Sequence, residues 1–462
     1  MVPAARSGRE WGNEAAGSDG NTHMTSARAT SWALVLVFLF GLYLRVDTVI
    51  HTIVDNPLRG DAGQYFTYAF NLHKSGVYSR EFTGATPMAP VPVADALRSP
   101  GYPLFLLPFA GGVPSDSTFV AIGLTQAVIG AVLILLTFLL GRRFMPAPVA
   151  LIPPLLVAVS PQLIIMPTYV LTETLFCTLL AGALVCLLAS REARVSWTGA
   201  LGAGLLLGAA ALTRPTVSYL WIPLGMLVAA YWPAASRTRA LVGFLAGVAF
   251  VMFPWFARNY FAIGTFSDPT LSTLTLIHGH YPGMMFDNRP ETLGYPYRFD
   301  PEIESMSANT QAAIAGIASR INNAPLEYVH WYLLDKPIAF FSWRDVSATA
   351  DIFTYPVHTS PFYGVPFYLK TLAMMRVTHA FWVLCAWAAL LIALLTACWR
   401  RAVPPFAWAL TGTVLVYFLL LHMVAFPIAR YSQPLFPILF VLATAGGRAA
   451  LVSALDRKQG AL

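Results

Sequence analysis

Charged residues are scarce in this sequence. Of its 462 residues, 11% are charged and 57% are apolar, and the mean hydropathy is +0.61. Soluble globular domains carry roughly 25% charged residues. The composition therefore excludes an ordinary soluble domain and indicates a multispanning membrane protein.

Cysteine pairs and internal repeats are also missing. The four cysteines lie inside apolar runs with no paired spacing, at Cys177, Cys186, Cys385 and Cys398. This pattern argues against a disulfide framework and against a zinc site. Without a recognisable internal repeat, the paired halves of many transporters are not visible.

The chain has no run of lysine and arginine of the kind that follows a nucleic-acid backbone. Its net charge of +7 comes from 29 basic and 22 acidic residues, which are scattered along the sequence. Nucleic acid is therefore excluded as a partner, and the basic residues have to be interpreted by their position relative to a membrane.

Long apolar runs are what the chain does have. Stretches of about 17 to 25 mostly apolar residues predict about ten membrane spans, and hence an all-α polytopic bundle. They lie near residues 31–50, 118–140, 147–165, 171–190, 198–213, 215–234, 240–260, 374–399, 403–422 and 431–449. Prolines in and beside the third run predict a kink there.

Arginine distribution predicts how the bundle is oriented. Short turns on one side carry arginine pairs, and this side is cytoplasmic by the positive-inside rule: Arg142 and Arg143, Arg191 and Arg194, Arg237 and Arg239, Arg400 and Arg401. We expect residues 1–30 to be a disordered cytoplasmic tail, 31–450 the membrane domain and 451–462 a second tail. Segments 51–117 and 263–370 then face outward and form two structured outer segments.

The first outer segment begins with GDAGQYFTYAFNL, residues 60–72. Tyr65, Tyr68, Ala69 and Leu72 recur at helical spacing and predict a short helix lying in the headgroup layer, with Asp61 at its N-terminus. Asp61 and Gln64 have the spacing of a capping box. The alternative is catalytic, because an ionisable group beside a membrane face is a candidate functional residue.

Five arginines depart from the cytoplasmic bias and fall on the outer side: Arg59, Arg98, Arg214, Arg258 and Arg430. Each alone is explained by a long side chain that reaches from a helix end to the interface. As a set on one face they predict a phosphate site, since guanidinium holds two phosphate oxygens at once.

Further outer residues are candidates for the same site. Glu173 begins the fourth span, where it complements the helix dipole or is a second catalytic candidate. In the second case it orients an arginine or the acceptor, or completes a metal site with Asp61. His278 and His280 lack a third metal ligand at a recognisable spacing, so we expect no metal site there and assign them to a surface near the substrate. Tyr65, Tyr102 and Tyr281 flank a sugar or serve as interface anchors.

Taken in order, several motifs resemble the GT-C glycosyltransferases of the protein O-mannosyltransferase and lipid A aminoarabinose transferase superfamily. The resemblance covers about residues 31–450 and rests on GDAGQYFTYAFNL, RSPGYPLFLL, LTETLF, LTRPT, PWFARNYFAIGTF and ARYSQPLFPIL. Many members carry a second acid directly after the first. Here that position is Ala62, which leaves Asp61 to act largely alone and weakens the case for a paired-acid Mg²⁺ or Mn²⁺ site.

The resemblance implies an integral membrane enzyme, expected in a bacterial inner or plasma membrane. It would move a sugar from a polyprenyl-phosphate donor to a lipid, glycan or protein acceptor on the periplasmic face, with no required cofactor. Asp61 matches the family's catalytic acid, and Arg258 and Arg430, then Arg214 and Arg98, are expected to bind the donor phosphate. The alternatives are a transporter or lipid-linked-sugar flippase, and a non-catalytic partner in envelope assembly.

Overall fold

The computed structural model describes residues 15–84, 86, 90–192, 196–283, 297, 300–343 and 351–459. Within these residues the chain is helical apart from one two-stranded sheet. The prediction of an all-α polytopic membrane fold is confirmed.

Long apolar helices are interspersed with shorter helices and two short strands along the chain. The first part contains α1 (Ala15–His51), β1 (Ile53–Val54), α2 (Asp61–Ser75), α3 (Gly101–Leu106), α4 (Asp116–Gly141), α5 (Ile152–Val159), α6 (Pro161–Ile165), α7 (Glu173–Glu192), α8 (Ser196–Thr213), α9 (Trp221–Tyr231) and α10 (Ala234–Ile263). The second part contains α11 (Thr270–His280), α12 (Ile303–Ser307), α13 (Thr310–Asn323), α14 (Pro325–His330), α15 (Lys336–Phe340), β2 (Val357–Thr359), α16 (Pro361–Gly364), α17 (Pro366–Trp399), α18 (Phe406–Val424) and α19 (Phe436–Gln459). A π-helical turn, Trp331–Asp335, joins α14 to α15.

Seven helical stretches among the described residues are long and apolar enough to cross a membrane. They correspond to all or most of α4, α7, α10, α17, α18 and α19 and to residues Arg28–His51 of α1, and they match seven of the ten predicted spans. The third predicted span is a helix pair bent by 57°, as its prolines predict. The fifth and sixth correspond to shorter apolar helices, Trp197–Thr213 and Pro215–Tyr231.

The bend between α5 and α6 has a clear chemical cause. Pro161 has no N–H, so the carbonyl of Val157 loses its helical hydrogen-bond partner. Arg45 of α1, whose side chain is fully buried, donates to that carbonyl at 3.0 Å and to the carbonyl of Ala158 at 3.3 Å. A buried guanidinium therefore satisfies the backbone groups that the bend exposes.

Small residues let α8 and α10 approach closely. A Cβ at Gly204 would lie 2.1 Å from the carbonyl oxygen of Phe244, and one at Gly247 would lie 2.4 Å from that of Leu201. Close backbone packing through glycine is a common way for helices to associate in a membrane. This contact fixes the direction of α8, which ends one residue before Arg214.

The first and last helices extend beyond the predicted membrane domain. Helix α1 begins at Ala15, within the tail that the sequence predicts to be disordered, and α19 continues to Gln459, within the second predicted tail. Residues 1–14 and 460–462 lie outside the described residues.

The two outer segments are joined at one edge. Strand β1, just after the first span, pairs antiparallel with β2 of the second outer segment. At the opposite end of the bundle, Arg191 donates to the carbonyl of Tyr231, whose hydroxyl donates to the carbonyl of Pro404. Three turns on the predicted cytoplasmic side therefore meet there; Arg194 lies outside the described residues.

Replacing Gly247 by leucine is expected to destabilise the bundle, because the new side chain meets the backbone of α8. Overpacking of this kind costs roughly 1–3 kcal/mol, so the midpoint of thermal unfolding in detergent should fall by several degrees. Gly202→Leu is the matched control, since nothing lies within 4 Å of a Cβ at that position. Equal midpoints for the two variants would contradict the close contact.

Candidate active site

Asp61 is the first residue of α2, directly after a sharp turn. Gly60 has φ of 60°, a conformation that favours glycine, and the helix start has no side-chain cap. The capping-box interpretation is therefore wrong. Instead, the Gln64 side-chain oxygen accepts a hydrogen bond of 2.7 Å from Nε of Arg98.

Arg98 comes from the loop before α3 and holds Asp61 from one side. Its Nη2 donates to Oδ1 of Asp61 at 2.6 Å, and its guanidinium lies 5.4 Å from the ring centroid of Tyr65. One guanidinium thus binds both the acid and the amide of the first helical turn. Because these two donors are held in one planar group, Arg98 fixes the position of the Asp61 carboxylate relative to the Gln64 amide.

Arg430 approaches the same acid from the other side. It lies in the 3₁₀ helix Ala429–Leu435 that leads into α19, and it is 9% exposed. Its Nη2 is 3.5 Å from Oδ2 of Asp61, and its Nε is 3.6 Å from Oε1 of Glu173. Arg430 therefore links the two acids that the sequence predicts to be functional.

Glu173, at the start of α7, completes the cluster on its buried side. Its Oε1 is 2.8 Å from Nη1 of Arg214, which follows the last residue of α8. The guanidinium groups of Arg214 and Arg430 lie 4.5 Å and 5.5 Å from the ring centroid of Tyr431. Cation–π contacts and the shared carboxylate hold two like charges close together.

The resulting cluster contains three guanidinium groups and two carboxylates, with a net charge of +1. Glu173 is 2% exposed and Asp61 is 33% exposed, so the two acids differ in access. Burial opposes the charge on Asp61, but Arg98, Arg430 and Arg214 outweigh it and hold the pKa of that carboxyl below its usual value. Asp61 is therefore an ionised, accessible carboxylate, whereas Glu173 is a buried partner for arginine.

A tyrosine from the second outer segment also reaches the cluster. The hydroxyl of Tyr355 would lie 3.5 Å from a Cβ at Gly60. Burial raises the pKa of Tyr355 to about 12, while Arg430 opposes the shift and Asp61 adds to it. The phenol is thus a neutral donor beside the acid. Tyr355 could not be identified from the sequence, because it lies near α2 only after β2 pairs with β1.

Arg258, a first choice for phosphate binding, lies in a different environment. It donates to the carbonyls of Asp95 at 2.7 Å and Tyr78 at 2.9 Å, and to the side chain of Asn259 at 3.0 Å. Among the described residues it is paired with neither acid of the cluster. The Asp95 side chain accepts from Tyr68 and from two backbone amides. Arg258 therefore anchors the loop that carries Arg98.

The aromatic face of α2 also differs from its prediction. Tyr65, Tyr68 and Ala69 are buried against protein and do not lie in a headgroup layer. The Tyr102 ring meets Tyr65 edge-on at 5.3 Å, and its hydroxyl donates to the Gln126 side chain. Tyr65 therefore packs against Arg98 in the cluster, and Tyr102 packs against Tyr65.

The histidine motif of the second outer segment forms a separate group beside the cluster. His278 stacks on Tyr297 at 3.7 Å, and the buried His280 stacks on Tyr328 at 4.5 Å. Burial, together with the nearby charges of Arg320 and Lys336, lowers the pKa of His280 to about 4, so its ring is neutral. The hydroxyl of Tyr281 donates to Asp300 at 2.6 Å.

Metal ligands do not come together in the described part of the chain. No group of three or more histidine, cysteine, aspartate or glutamate side chains is placed there to hold an ion. The carboxylates of Asp61 and Glu173 both face guanidinium groups. Such positively charged surroundings disfavour a divalent cation between them.

Comparison with solved structures identifies the fold. An archaeal oligosaccharyltransferase from Archaeoglobus fulgidus, in complex with an inhibitory peptide and a dolichol-phosphate, matches with a TM-score of 0.52 at 15% identity, over 94% of this chain and 52% of that one. The same enzyme tethered to an acceptor peptide gives 0.51 at 14% identity, over 90% and 49%. ArnT from Cupriavidus metallidurans in the apo state gives 0.39 at 16% identity, over 91% and 77%.

These matches are GT-C glycosyltransferases, and the chain has the GT-C fold. It spans about half the length of the oligosaccharyltransferase. No protein-family model matches the chain, and no curated protein sequence matches it.

Replacing Glu173 by glutamine is expected to destabilise the protein more than replacing Asp61 by asparagine. Glu173 is buried between Arg214 and Arg430, and removing one partner of a buried ion pair costs about 3–5 kcal/mol. Asp61 is one-third exposed, so water screens the loss of its charge. The midpoints of thermal unfolding of both variants in the same detergent measure this difference. A smaller loss for Glu173→Gln than for Asp61→Asn would contradict the buried ion-pair assignment.

Proposed function

We propose that this chain is a membrane glycosyltransferase that moves a sugar from a polyprenyl-phosphate donor to an acceptor hydroxyl. The observation that carries the proposal is the position of Asp61, an accessible carboxylate held between Arg98 and Arg430. The chain's GT-C fold, which it shares with an oligosaccharyltransferase, supports the same reaction class.

The three arginines suit the donor's leaving group. A sugar bonded to a lipid phosphate carries one negative charge, and the departing phosphate monoester carries a second. Arg430, Arg214 and Arg98 are fixed before the reaction and would stabilise the charge that develops as the bond breaks. Preorganised charges of this kind are often the largest contribution to catalysis. The net charge of +1 in the cluster matches the single charge of the bound donor.

Asp61 would act as the general base. The acceptor hydroxyl transfers its proton to the carboxylate as its oxygen forms a bond with C1 of the sugar. The bond from C1 to the phosphate oxygen breaks, and its electron pair leaves with the polyprenyl phosphate. Attack from the face opposite the leaving group inverts the anomeric centre. The low pKa of Asp61 keeps it ionised at neutral pH.

The other residues have supporting roles in this proposal. Glu173 orients Arg214 and Arg430 and does not touch the substrate, because it is buried. Tyr355, which is only partly buried and lies close to Asp61, would contact the sugar. Tyr65 is buried and would support the site by packing against Arg98.

The acceptor would lie on the side of the second outer segment. The group of His278, His280 and Tyr281 borders the cluster on that side, where Tyr431 packs against the same apolar cluster as Tyr281. The acceptor hydroxyl would belong to a lipid, a glycan or a protein.

Location follows from the orientation rule. If the arginine-rich turns are cytoplasmic, the cluster lies at the outer ends of the spans, and the reaction takes place on the periplasmic or extracytoplasmic face. The donor's lipid tail would remain in the membrane. A transporter or flippase is not favoured, because these charged residues meet at one end of the described bundle and do not follow a path through it.

Replacing Asp61 by asparagine is expected to lower the transfer rate at least about 100-fold, because a general base typically contributes 10²–10⁴ in rate. Mass spectrometry of lipids that co-purify with this variant should detect an unconsumed lipid-linked sugar. Asp116→Asn, at an exposed outer helix start, is the matched control and should transfer at the wild-type rate. Normal turnover by Asp61→Asn would refute its role as base.

Replacing Arg430 by glutamine is expected to weaken binding of undecaprenyl phosphate about tenfold or more, because a hydrogen bond to a charged group contributes about 1.5–3 kcal/mol. Arg59→Gln serves as the control. Arg59 is an exposed arginine of the same outer side, and no ion pair joins it to either acid among the described residues. Equal affinities for the two variants would show that Arg430 does not hold the phosphate.

A further inference from the structure

Lys336 is a buried lysine that the proposed chemistry does not use. It begins α15 in the second outer segment, and its side chain is 0% exposed. Its Nζ donates to the carbonyls of Met423 at 2.7 Å, Ala425 at 3.0 Å and Val424 at 3.4 Å. The same ammonium lies 4.1 Å from the ring centroid of Tyr332.

Two of the three carbonyls, those of Met423 and Val424, belong to the last turn of α18, and the third, that of Ala425, follows directly after it. Helix α18 ends at Val424, and the last carbonyls of any helix lack an N–H donor from the next turn. Many helices solve this with a glycine in a left-handed conformation. Here Ala425 is extended, with φ of −90° and ψ of −154°, so the side chain of Lys336 supplies the donors.

Lys336 is held by contacts that offset the cost of burying its charge. Burial lowers the pKa of Lys336 to about 7, since taking an ammonium out of water is costly. Three carbonyl acceptors and the negative end of the α18 dipole offset that cost. Removing the lysine would take the donor away from three part-buried carbonyl acceptors.

The carbonyls that Lys336 binds belong to the short segment that leads to Arg430. A Cβ at Gly279 would lie 2.3 Å from the carbonyl oxygen of Ala425, so α11 presses against this segment. Trp331 donates to the carbonyl of Gly279 at 3.0 Å. The segment is thus held between α11 and the π-helical turn, and Lys336 fixes its beginning.

We propose that Lys336 is a positioning residue that sets the place of the Arg430 guanidinium between Asp61 and Glu173. It couples the second outer segment to the cluster by fixing residues 423–425. The consequence for donor binding rests on the proposed function, whereas the consequence for local structure does not.

Hydrogen exchange tests the structural part. In Lys336→Met, amide exchange in peptides covering residues 425–431 should rise at least about fivefold, because loss of the buried donors destabilises the segment locally. Lys336→Arg, which keeps a charged donor, should restore protection partly. Lys370→Met, at an exposed lysine of α17, should exchange like the wild type. Unchanged exchange at 425–431, or an equal rise over all spans, would overturn the proposal.

A double-mutant cycle tests the link to Arg430. Lys336→Met should weaken binding of undecaprenyl phosphate about tenfold in the wild-type background and by less than about twofold in Arg430→Gln, because coupled residues act non-additively. Additive losses would overturn the coupling. If Lys336→Met does not fold, Lys336→Gln takes its place in both measurements. Normal transfer by Asp61→Asn would refute the proposed function and leave the exchange result to decide the role of Lys336.

Discussion

The structure depends on a chain of ion pairs that runs from Arg98 through Asp61, Arg430 and Glu173 to Arg214. A buried carboxylate is costly unless cations and hydrogen bonds compensate it. Each member of the chain comes from a different element, so the ends of α2, α7, α8 and the turn before α19 are held together by charge. The apolar spans form the bundle, while this network determines how their ends meet on one side of it.

The parts of the fold that follow from residue composition and from the spacing of apolar residues are predictable from the sequence. Long apolar runs predict spans because hydrocarbon requires about 20 apolar residues in a helix, and the proline cluster predicts the bend at Pro161. The runs near 198–213 and 215–234 are predicted as membrane spans. Both fold as shorter helices. The packing of the first against α10 depends on close glycine contacts such as that at Gly247, which a hydropathy count does not detect.

The candidate site was predictable only in part. Asp61, Arg98, Arg214, Arg430 and Glu173 share one predicted face, and the structure brings them together. The predicted side of the membrane does not distinguish Arg258 from this group. An arginine that binds backbone carbonyls looks the same in sequence as one that binds carboxylates. Tyr355 and Lys336 were missed for a related reason: their partners lie far away in sequence and are chosen by tertiary packing.

The small sheet between β1 and β2 limits how the outer half of the protein moves. Strand β1 precedes the turn at Gly60 and strand β2 follows Tyr355, so main-chain pairing holds the acid and the phenol close together. A substrate that separated the two outer segments at this edge would have to break backbone pairing beside the reacting groups. Large molecules are therefore expected to enter at the border opposite the sheet. Among the described residues, no main-chain hydrogen bonds join the loops of the two outer segments there.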